Sequence, residues 1–297
     1  MNRLLYGASS LCLIVLGTNS MAQTSNTDSS STMSKMFGDS GGISASVGVR
    51  LWGNQWDVPV FDAVPLANPQ APGGFVLQDT ATSHLSSFKI GVIPFVGARM
   101  GNVIASVSYF IRTDYDAQTP RLNSVSRDEL DVTLGYSILP ASSDGSLVIA
   151  LGYKKAKINS NVNPLLGQPF DASIRINAGL LGLSGSASLT DNLRLYGSAA
   201  YGFAKQETTP IPGQEPNDNL DGRYKVGEIG LNYAFYRGGE GQAFRNAAVA
   251  LGYRAQVYTI KSFSLMTRSS TGVILATEKR DIDSTTQGPV LTFSASF

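Results

Sequence analysis

The last ten residues, Gly288-Pro-Val-Leu-Thr-Phe-Ser-Ala-Ser-Phe297, contain the clearest structural pattern of the chain. Apolar side chains alternate there with small polar ones at a spacing of two. The apolar positions are Leu291, Phe293, Ala295 and Phe297. Because successive side chains of a β-strand point to opposite faces, the pattern predicts a terminal strand with one apolar and one polar face.

Blocks with the same alternation fill the chain from Gly41 onward, and the terminal stretch is the tenth. The apolar faces of the other blocks run from Ile43 to Leu51, Phe88 to Val96, Val103 to Ile111, Leu130 to Ile138, Leu147 to Tyr153, Ile174 to Leu180, Leu193 to Phe203, Ile229 to Phe235 and Ala247 to Val257. These lengths suit tilted membrane strands. A slip of the alternation at Leu180 and Leu181 predicts a β-bulge. Pro94 predicts a local break, because proline lacks an amide donor.

The connectors between the blocks are alternately long and short, as in transmembrane barrels with long external loops and short periplasmic turns. The long ones run from Asn54 to Ser83, Asp114 to Ser126, Asn159 to Ala172, Lys205 to Gly222 and Lys261 to Thr286. We expect these outside the cell and both chain ends in the periplasm. The first holds four prolines and predicts a semi-rigid loop. In the last, the β-prone run from Gly272 to Ala276 predicts a strand hairpin that extends beyond the membrane.

The terminal strand resembles that of bacterial outer-membrane β-barrels, which typically ends in an aromatic residue after alternating apolar ones. The resemblance implies an all-β, transmembrane, antiparallel up-and-down barrel, here of about ten strands within a range of roughly eight to twelve. It also implies contact with outer-membrane lipid and lipopolysaccharide. In this family the assembly machinery is thought to read the terminal strand, so the predicted assembly signal comprises Leu291, Phe293, Ala295 and Phe297. The alternative, a soluble β-sandwich, would bury its apolar faces and show no systematic loop alternation.

The N-terminal segment predicts export. Residues 1–22 have Arg3 as a positive start, a short apolar stretch and a small-residue cleavage site ending at Ala22, which is typical of a secretory signal peptide. Residues 23–40 are rich in Ser, Thr, Asn and Asp and predict a flexible periplasmic leader. The barrel itself is predicted to occupy residues 41–297, in a bacterial outer membrane.

Composition removes several function classes. Cleavage would leave 297 − 22 = 275 residues with 22 basic and 22 acidic side chains, because Arg3 is lost, and a neutral chain does not predict nucleic-acid binding. Cys12, in the signal peptide, is the one cysteine, so the mature chain offers no disulfide and no thiolate metal site. With a single histidine, any metal site would have to be built from carboxylates. No cofactor is predicted.

Charged residues on the polar faces are predicted to line the barrel lumen, since charge on the lipid side is costly. They are Arg50, Lys89, Arg112, Glu129, Asp131, Lys154, Arg175, Arg194, Glu228 and Arg254. Their basic excess predicts a narrow, porin-like channel for small solutes that favours anions. Alternatively the same side chains pair with one another and plug a barrel of this narrow size. A second function remains open, a non-enzymatic surface-binding or adhesin-type barrel that acts through its long external loops.

An enzyme is the third reading. Ten strands is also the number in the omptin surface proteases, whose active site sets paired aspartates opposite an Asp-x-His couple. The pairs Asp114/Asp116 and Asp281/Asp283 fall at comparable rim positions, but the chain has no Asp-x-His. His84 follows Ser83, as in a lipid hydrolase of the Ser-His type, although no triad spacing is present. We therefore predict a non-enzymatic protein.

Overall fold

The computed structural model describes residues 43–116, 122–139, 145–162, 169–209, 220–238 and 243–297. The predicted signal peptide and leader lie outside these residues. The described parts contain no helix long and apolar enough to cross a membrane. They form strands joined in one antiparallel sheet, and that sheet closes on itself because the first strand pairs with the last.

The ten strands of the described residues follow one another around the barrel. They are β1 (Ile43–Ala67), β2 (Phe75–Met100), β3 (Val103–Tyr115), β4 (Leu122–Ser137), β5 (Gly145–Val162), β6 (Phe170–Ser188), β7 (Leu193–Thr208), β8 (Leu220–Arg237), β9 (Asn246–Ser269) and β10 (Ile274–Ser296). The start of β1, the C-terminal end of β10 and the short turn at Gly101 and Asn102 share one end, which we call the turn end. The opposite end, where the predicted long connectors lie, is the loop end.

The outer wall of the barrel is an apolar band. Large side chains exposed on it include Phe88, Ile90, Val107, Leu134, Leu151, Phe203, Leu231 and Leu251. A soluble sandwich would bury such residues, whereas a closed barrel in lipid exposes them and keeps every wall strand hydrogen-bonded. The all-β transmembrane barrel predicted from the alternation is therefore confirmed. Its architecture is that of outer-membrane barrels.

Toward the loop end, the polarity of the wall reverses. On β6, Ile176 (3% exposed) and Ala178 (1% exposed) face the interior, while Leu181, nearer the turn end, is 60% exposed outside. The register of β6 with both neighbours is continuous, so the predicted bulge at Leu180 and Leu181 is wrong. The apolar side chains of β6 point outward near Leu181, where lipid contacts the outer wall, and inward at Ile176 and Ala178, nearer the loop end. Farther along the strand the outer wall is polar, and Arg175, predicted in the lumen, lies exposed on it.

The strands extend well past the apolar band at the loop end. β1 and β2 pair from Ile43 and Met100 up to Ala67 and Phe75, so most of the predicted loop from Asn54 to Ser83 is a paired hairpin. Pro59 and Pro65 lie in β1 beyond Asp57, where β1 has no described partner on its other edge, and prolines are found in strands mainly at such edges. Pro69 and Pro72 lie in the turn between β1 and β2.

The last two strands form a similar arm. β9 continues to Ser269 and β10 begins at Ile274, which confirms the hairpin predicted around Gly272 to Ala276. Three residue pairs, from Val76 with Ser269 to Gln78 with Thr267, join this arm to the β1–β2 arm. The two hairpins therefore form one extended structure at the loop end.

The ladder between β2 and β3 is interrupted. Within the described residues it runs only from Met100 and Val103 to Phe95 and Ser108, and it stops next to Pro94. The predicted local break is thus confirmed. On the loop-end side of the break, a side-chain ion pair links the two strands: Lys89 Nζ lies 2.9 Å from Asp116 Oδ2.

Candidate functional site

Glu228 on β8 is the centre of a buried ionic group inside the barrel. Its Oε2 accepts a hydrogen bond from Arg254 Nη1 at 3.1 Å and lies 3.7 Å from Arg50 Nη1. The hydroxyl of Tyr196 donates to Glu228 Oε1 at 3.1 Å. All four side chains are buried. Two arginines from different strands thus share one carboxylate.

A second ionic group is centred on Glu129 of β4. Lys154 Nζ donates to Glu129 Oε2 at 2.7 Å and lies 2.7 Å from Asp131 Oδ1. Arg127 Nε donates to Glu129 Oε1 at 2.6 Å, and Arg127 Nη1 donates to Thr286 Oγ1 at 2.5 Å. Lys154 is 1% exposed and Glu129 3%. Both basic side chains of this group are therefore paired with carboxylates.

We refer to both ionic groups together as the charge layer, which consists of Arg50, Arg127, Glu129, Asp131, Lys154, Glu228 and Arg254. It contains four basic and three acidic residues. The rings of the lumen reinforce it, since the Arg254 guanidinium lies 5.4 Å from the Trp52 ring and the Lys154 ammonium lies 5.3 Å from the Tyr224 ring. Such cation–π contacts add to the stability of buried cations.

Aromatic packing occupies the space that small residues would otherwise leave. Trp52 and Phe110 meet edge to face with their centroids 6.0 Å apart, and they form a buried cluster with Ile93 and Val290. The Phe110 ring packs directly against Gly91, where any side chain would collide with it. Glycine is therefore required at this position because the ring approaches so closely. The Phe110 ring of β3 therefore fills the interior next to Gly91 of β2.

On the loop-end side of the charge layer lies a cavity of about 210 Å³. Arg127, Glu129 and Gln256 form its floor, and its walls are mainly apolar. The apolar wall residues are Trp56, Val58, Leu122, Val125, Ala156, Ile158, Ile174, Ile176 and Ile260. We call this cavity the cup. A smaller cavity of about 70 Å³, lined by Arg50, Lys154 and Arg254 among others, lies on the turn-end side. The charge layer separates the two.

Four buried polar atoms on cup-lining side chains have no hydrogen-bond partner among the described residues. They are Tyr224 Oη, Tyr258 Oη, Gln206 Oε1 and Gln256 Oε1. The orientation of the Gln256 amide is set by Glu129, whose Oε1 accepts from Gln256 Nε2 at 3.2 Å, so the amide oxygen is left as an acceptor. Buried polar groups in native proteins nearly always have a partner. The cup thus has unused hydrogen-bonding capacity in an apolar wall.

Arg112 lies outside the lumen, contrary to the prediction. The β3–β4 register shifts between Phe110 and Thr113, and this irregularity removes Arg112 from the inward alternation. Its side chain is 63% exposed, and its Nε lies 3.6 Å from Asp114 Oδ1. An irregularity of this kind leaves no mark in the alternation itself, because Tyr109 and Ile111 keep the apolar spacing.

Lys89 and Arg194 occupy opposite ends of the barrel. Lys89 is at the loop end, bound to Asp116, and Arg194 is partly buried at the turn end, opposite Ser188 and Asn232. The predicted assembly residues lie on β10, or just beyond it, at the turn end, with Phe293 and Phe297 exposed. Phe297 N donates to Ala45 O at 2.9 Å, which joins the last residue to β1.

Sequence reasoning missed Arg127, Trp56, Tyr224 and Tyr258. Each is an even number of positions along its strand from a residue that was correctly predicted to face the interior, so it faces the interior too. All four lie beyond the predicted end of the membrane strand. Tyr224 shares parity with Glu228, and Tyr258 shares it with Arg254. Extending the alternation past the apolar band would have found all four, provided that the strands were known to continue.

The aspartates at the rim are engaged by neighbouring side chains. Lys261 Nζ and the backbone amide of Ser262 donate to Asp281, and these hydrogen bonds hold the pKa of that carboxyl below its ordinary value. Thr259 Oγ1 donates to Asp283 Oδ1 at 2.6 Å. No cluster of three or more His, Cys, Asp or Glu suited to a metal ion occurs in the described part of the chain. The side chain of His84 lies outside the described residues.

No protein-family model matches the sequence, and no curated protein matches it. Solved structures with a similar fold include the outer membrane protease OmpT from Escherichia coli, at 12% identity and a TM-score of 0.47, over 86% of this chain and 96% of that one. The translocator domain of the autotransporter NalP from Neisseria meningitidis has 13% identity and a TM-score of 0.45, over 87% and 90%. The P. putida toluene transporter TodX has 12% identity and a TM-score of 0.31, over 86% and 90%.

These three proteins do very different things, and likeness at this level extends to the barrel fold alone. The fold agrees with the predicted location in a bacterial outer membrane. Function has to be argued from the interior of this chain.

Proposed function

We propose that this outer-membrane barrel binds a small, largely apolar molecule in the cup, and that its lumen is closed beneath the cup. The observation that carries the proposal is the cup itself, an apolar cavity of about 210 Å³ with the paired charge layer as its floor. An apolar cavity of about 150 Å³ is already enough to bind benzene. Ligand sites are typically concave and apolar with a few polar groups, and the cup has this composition.

The narrow, basic-lined channel is the second candidate. The excess of one basic residue in the charge layer and the 70 Å³ cavity below it favour this reading. Three features weigh against it: the basic side chains of the layer contact carboxylates, Trp52 is 1% exposed, and the Phe110 ring leaves no space at Gly91. Permeation would require the charge layer to rearrange. A barrel that binds partners through its external loops would work with the charge layer as it is.

Equilibrium dialysis of the purified barrel against 4-ethyltoluene tests the proposal, with protein-free detergent micelles as the partition blank. We expect saturable binding of one molecule per barrel. Ala156→Phe should abolish it, because Ala156 lines the cup and the new ring would fill it. Ala98→Phe is the matched control, since Ala98 is exposed on the outer wall. Uptake no greater than in the blank, or equal uptake by both variants, would contradict the proposal.

A further inference from the structure

We infer that the ligand of the cup is uncharged and carries one group that both donates and accepts a hydrogen bond, such as a hydroxyl or an amide, on a compact apolar body. The inference rests on the proposed function and names the class of molecule that the same cavity would take.

The charges at the cup leave no counterion for a charged ligand. Arg127 is committed to Glu129 and Thr286, and its guanidinium lies 5.4 Å from the Trp56 ring. Glu129 already accepts from Arg127, Lys154 and Gln256. A carboxylate or ammonium brought into this site would be buried without a partner, which is strongly unfavourable. The floor therefore selects against ions of either sign.

The unpartnered polar atoms of the cup include both hydrogen-bond donors and a hydrogen-bond acceptor. The hydroxyls of Tyr224 (2% exposed) and Tyr258 (6% exposed) are donors that lack an acceptor, and Gln256 Oε1 is an acceptor that lacks a donor. Tyr224 and Tyr258 are cross-strand neighbours on β8 and β9. Gln256 is two residues from Tyr258 on the same face of β9. A hydroxyl or amide bound in the cup would supply an acceptor to a tyrosine hydroxyl and a donor to the glutamine.

The rest of the cup fits an apolar body. Ile158, Ile174, Ile176 and Ile260 pack around the tyrosine pair, and Trp56 and Val125 lie in a neighbouring buried cluster. Side chains of this kind offer contact area and no hydrogen bonds. A molecule with a single polar end would therefore bind with its apolar part against the isoleucines.

Four probes of nearly equal shape separate these requirements in equilibrium dialysis. In 4-ethylphenol the polar group donates and accepts, in 4-ethylanisole it only accepts, and 4-ethyltoluene has none. The fourth, 4-ethylbenzoate, is an anion. We expect 4-ethylphenol to bind about tenfold more tightly than 4-ethyltoluene, which is the effect of one good hydrogen bond. We expect 4-ethylanisole between them and 4-ethylbenzoate below all three.

Removing the hydroxyls should remove the preference. Tyr224→Phe combined with Tyr258→Phe is expected to lower the affinity for 4-ethylphenol about tenfold relative to that for 4-ethyltoluene. The double variant should fold as well as the wild type, because neither hydroxyl has a protein partner to lose. Tyr196→Phe is the control, since its hydroxyl binds Glu228 below the cup and its loss should not change the ratio between probes.

The two proposals fail differently. If none of the neutral probes binds, the cup is not a ligand site and the proposed function is wrong. If 4-ethyltoluene binds as tightly as 4-ethylphenol, or the preference survives in the double tyrosine variant, the polar atoms are satisfied by water only. The cup would then remain a ligand site and the inference on ligand class would be overturned.

Discussion

Lys154 Nζ on β5 donates a hydrogen bond to Glu129 Oε2 on β4 at 2.7 Å, and both side chains are almost completely buried. This cross-strand pair lies in the part of the lumen where an open channel would need free water. Buried pairs of this kind contribute little net stability, because removing two charges from water costs about as much as their attraction returns. In the proposed function, the pair helps to keep the lumen closed, and each of its two charges has an oppositely charged partner.

Removing the ammonium should therefore be costly. Lys154→Met leaves Glu129 and Asp131 with one cation fewer, and we expect it to lower the free energy of unfolding by about 3 to 5 kcal/mol. Urea unfolding of the reconstituted barrel measures this. Lys155→Met is the matched control because Lys155 is exposed on the outer wall, and its effect should stay within about 0.5 kcal/mol. Equal stability of the two variants would mean that the charge layer is solvated.

Close packing in the lumen gives a second prediction. Gly91→Ala should destabilise the barrel by about 1 to 3 kcal/mol, because the added methyl group collides with the Phe110 ring. Gly179→Ala should be neutral or slightly stabilising, since Gly179 is exposed and no other atom lies near the added carbon. Urea unfolding of both variants compares them. If Gly91→Ala is tolerated as well as Gly179→Ala, the space at Gly91 is not filled by the ring.

The positions that alternation predicted well and badly have a common physical cause. Leu251 and Tyr253 face outward as predicted because lipid contacts them, and inside the band the rule of apolar outside and polar inside holds. At Ile174 and Ile176 the rule inverts, because water replaces lipid outside while a buried cavity lies inside. A single sequence does not state where the membrane ends. That boundary decides which face of a strand is the interior.

The cup could not be predicted from the sequence, because the sequence does not show where the membrane ends. It is built at the loop end by residues assigned to connectors or to outer faces, such as Val58 and Ile174. The charge layer was closer to prediction, because Glu129, Lys154, Glu228 and Arg254 lie where lipid forces charge inward. Whether those charged side chains pair with one another or face a water-filled lumen depends on the distances between side chains on different strands. The alternation along one strand does not contain these distances.

The orientation in the membrane is open to a direct test. We expect the loop end outside the cell, so that a cysteine at Thr271, in the β9–β10 turn, reacts in intact cells with a membrane-impermeant maleimide. A cysteine at Asn192, in the turn between β6 and β7, should react only after lysis. The natural Cys12 lies in the predicted signal peptide and should not interfere. The reverse labelling pattern would invert the topology.

Phe297 is expected to matter for assembly more than for the finished barrel. Its ring is 44% exposed, and its backbone makes two hydrogen bonds with Ala45. Phe297→Ser keeps the backbone bonds and removes the terminal aromatic group, so we expect a lower yield of barrel in the membrane with nearly unchanged urea stability of the purified protein. Leu66→Ser, an exposed apolar residue at the loop end, is the control for a general loss of surface hydrophobicity. Undiminished yield would remove the case for an assembly signal.

Conductance in a planar bilayer distinguishes the closed lumen from the channel. We expect the wild type to carry little current, because the charge layer is paired and Trp52 and Phe110 fill the space beside it. Trp52→Ala removes a side chain that is 1% exposed and lines the smaller cavity, so it should widen the lumen beside the charge layer and raise the current. Phe203→Ala, which removes a lipid-facing ring that is 73% exposed, should not change it. A steady anion-selective current in the wild type, reversed in preference by Arg254→Glu, would instead establish the basic-lined channel and make the cup a vestibule to it.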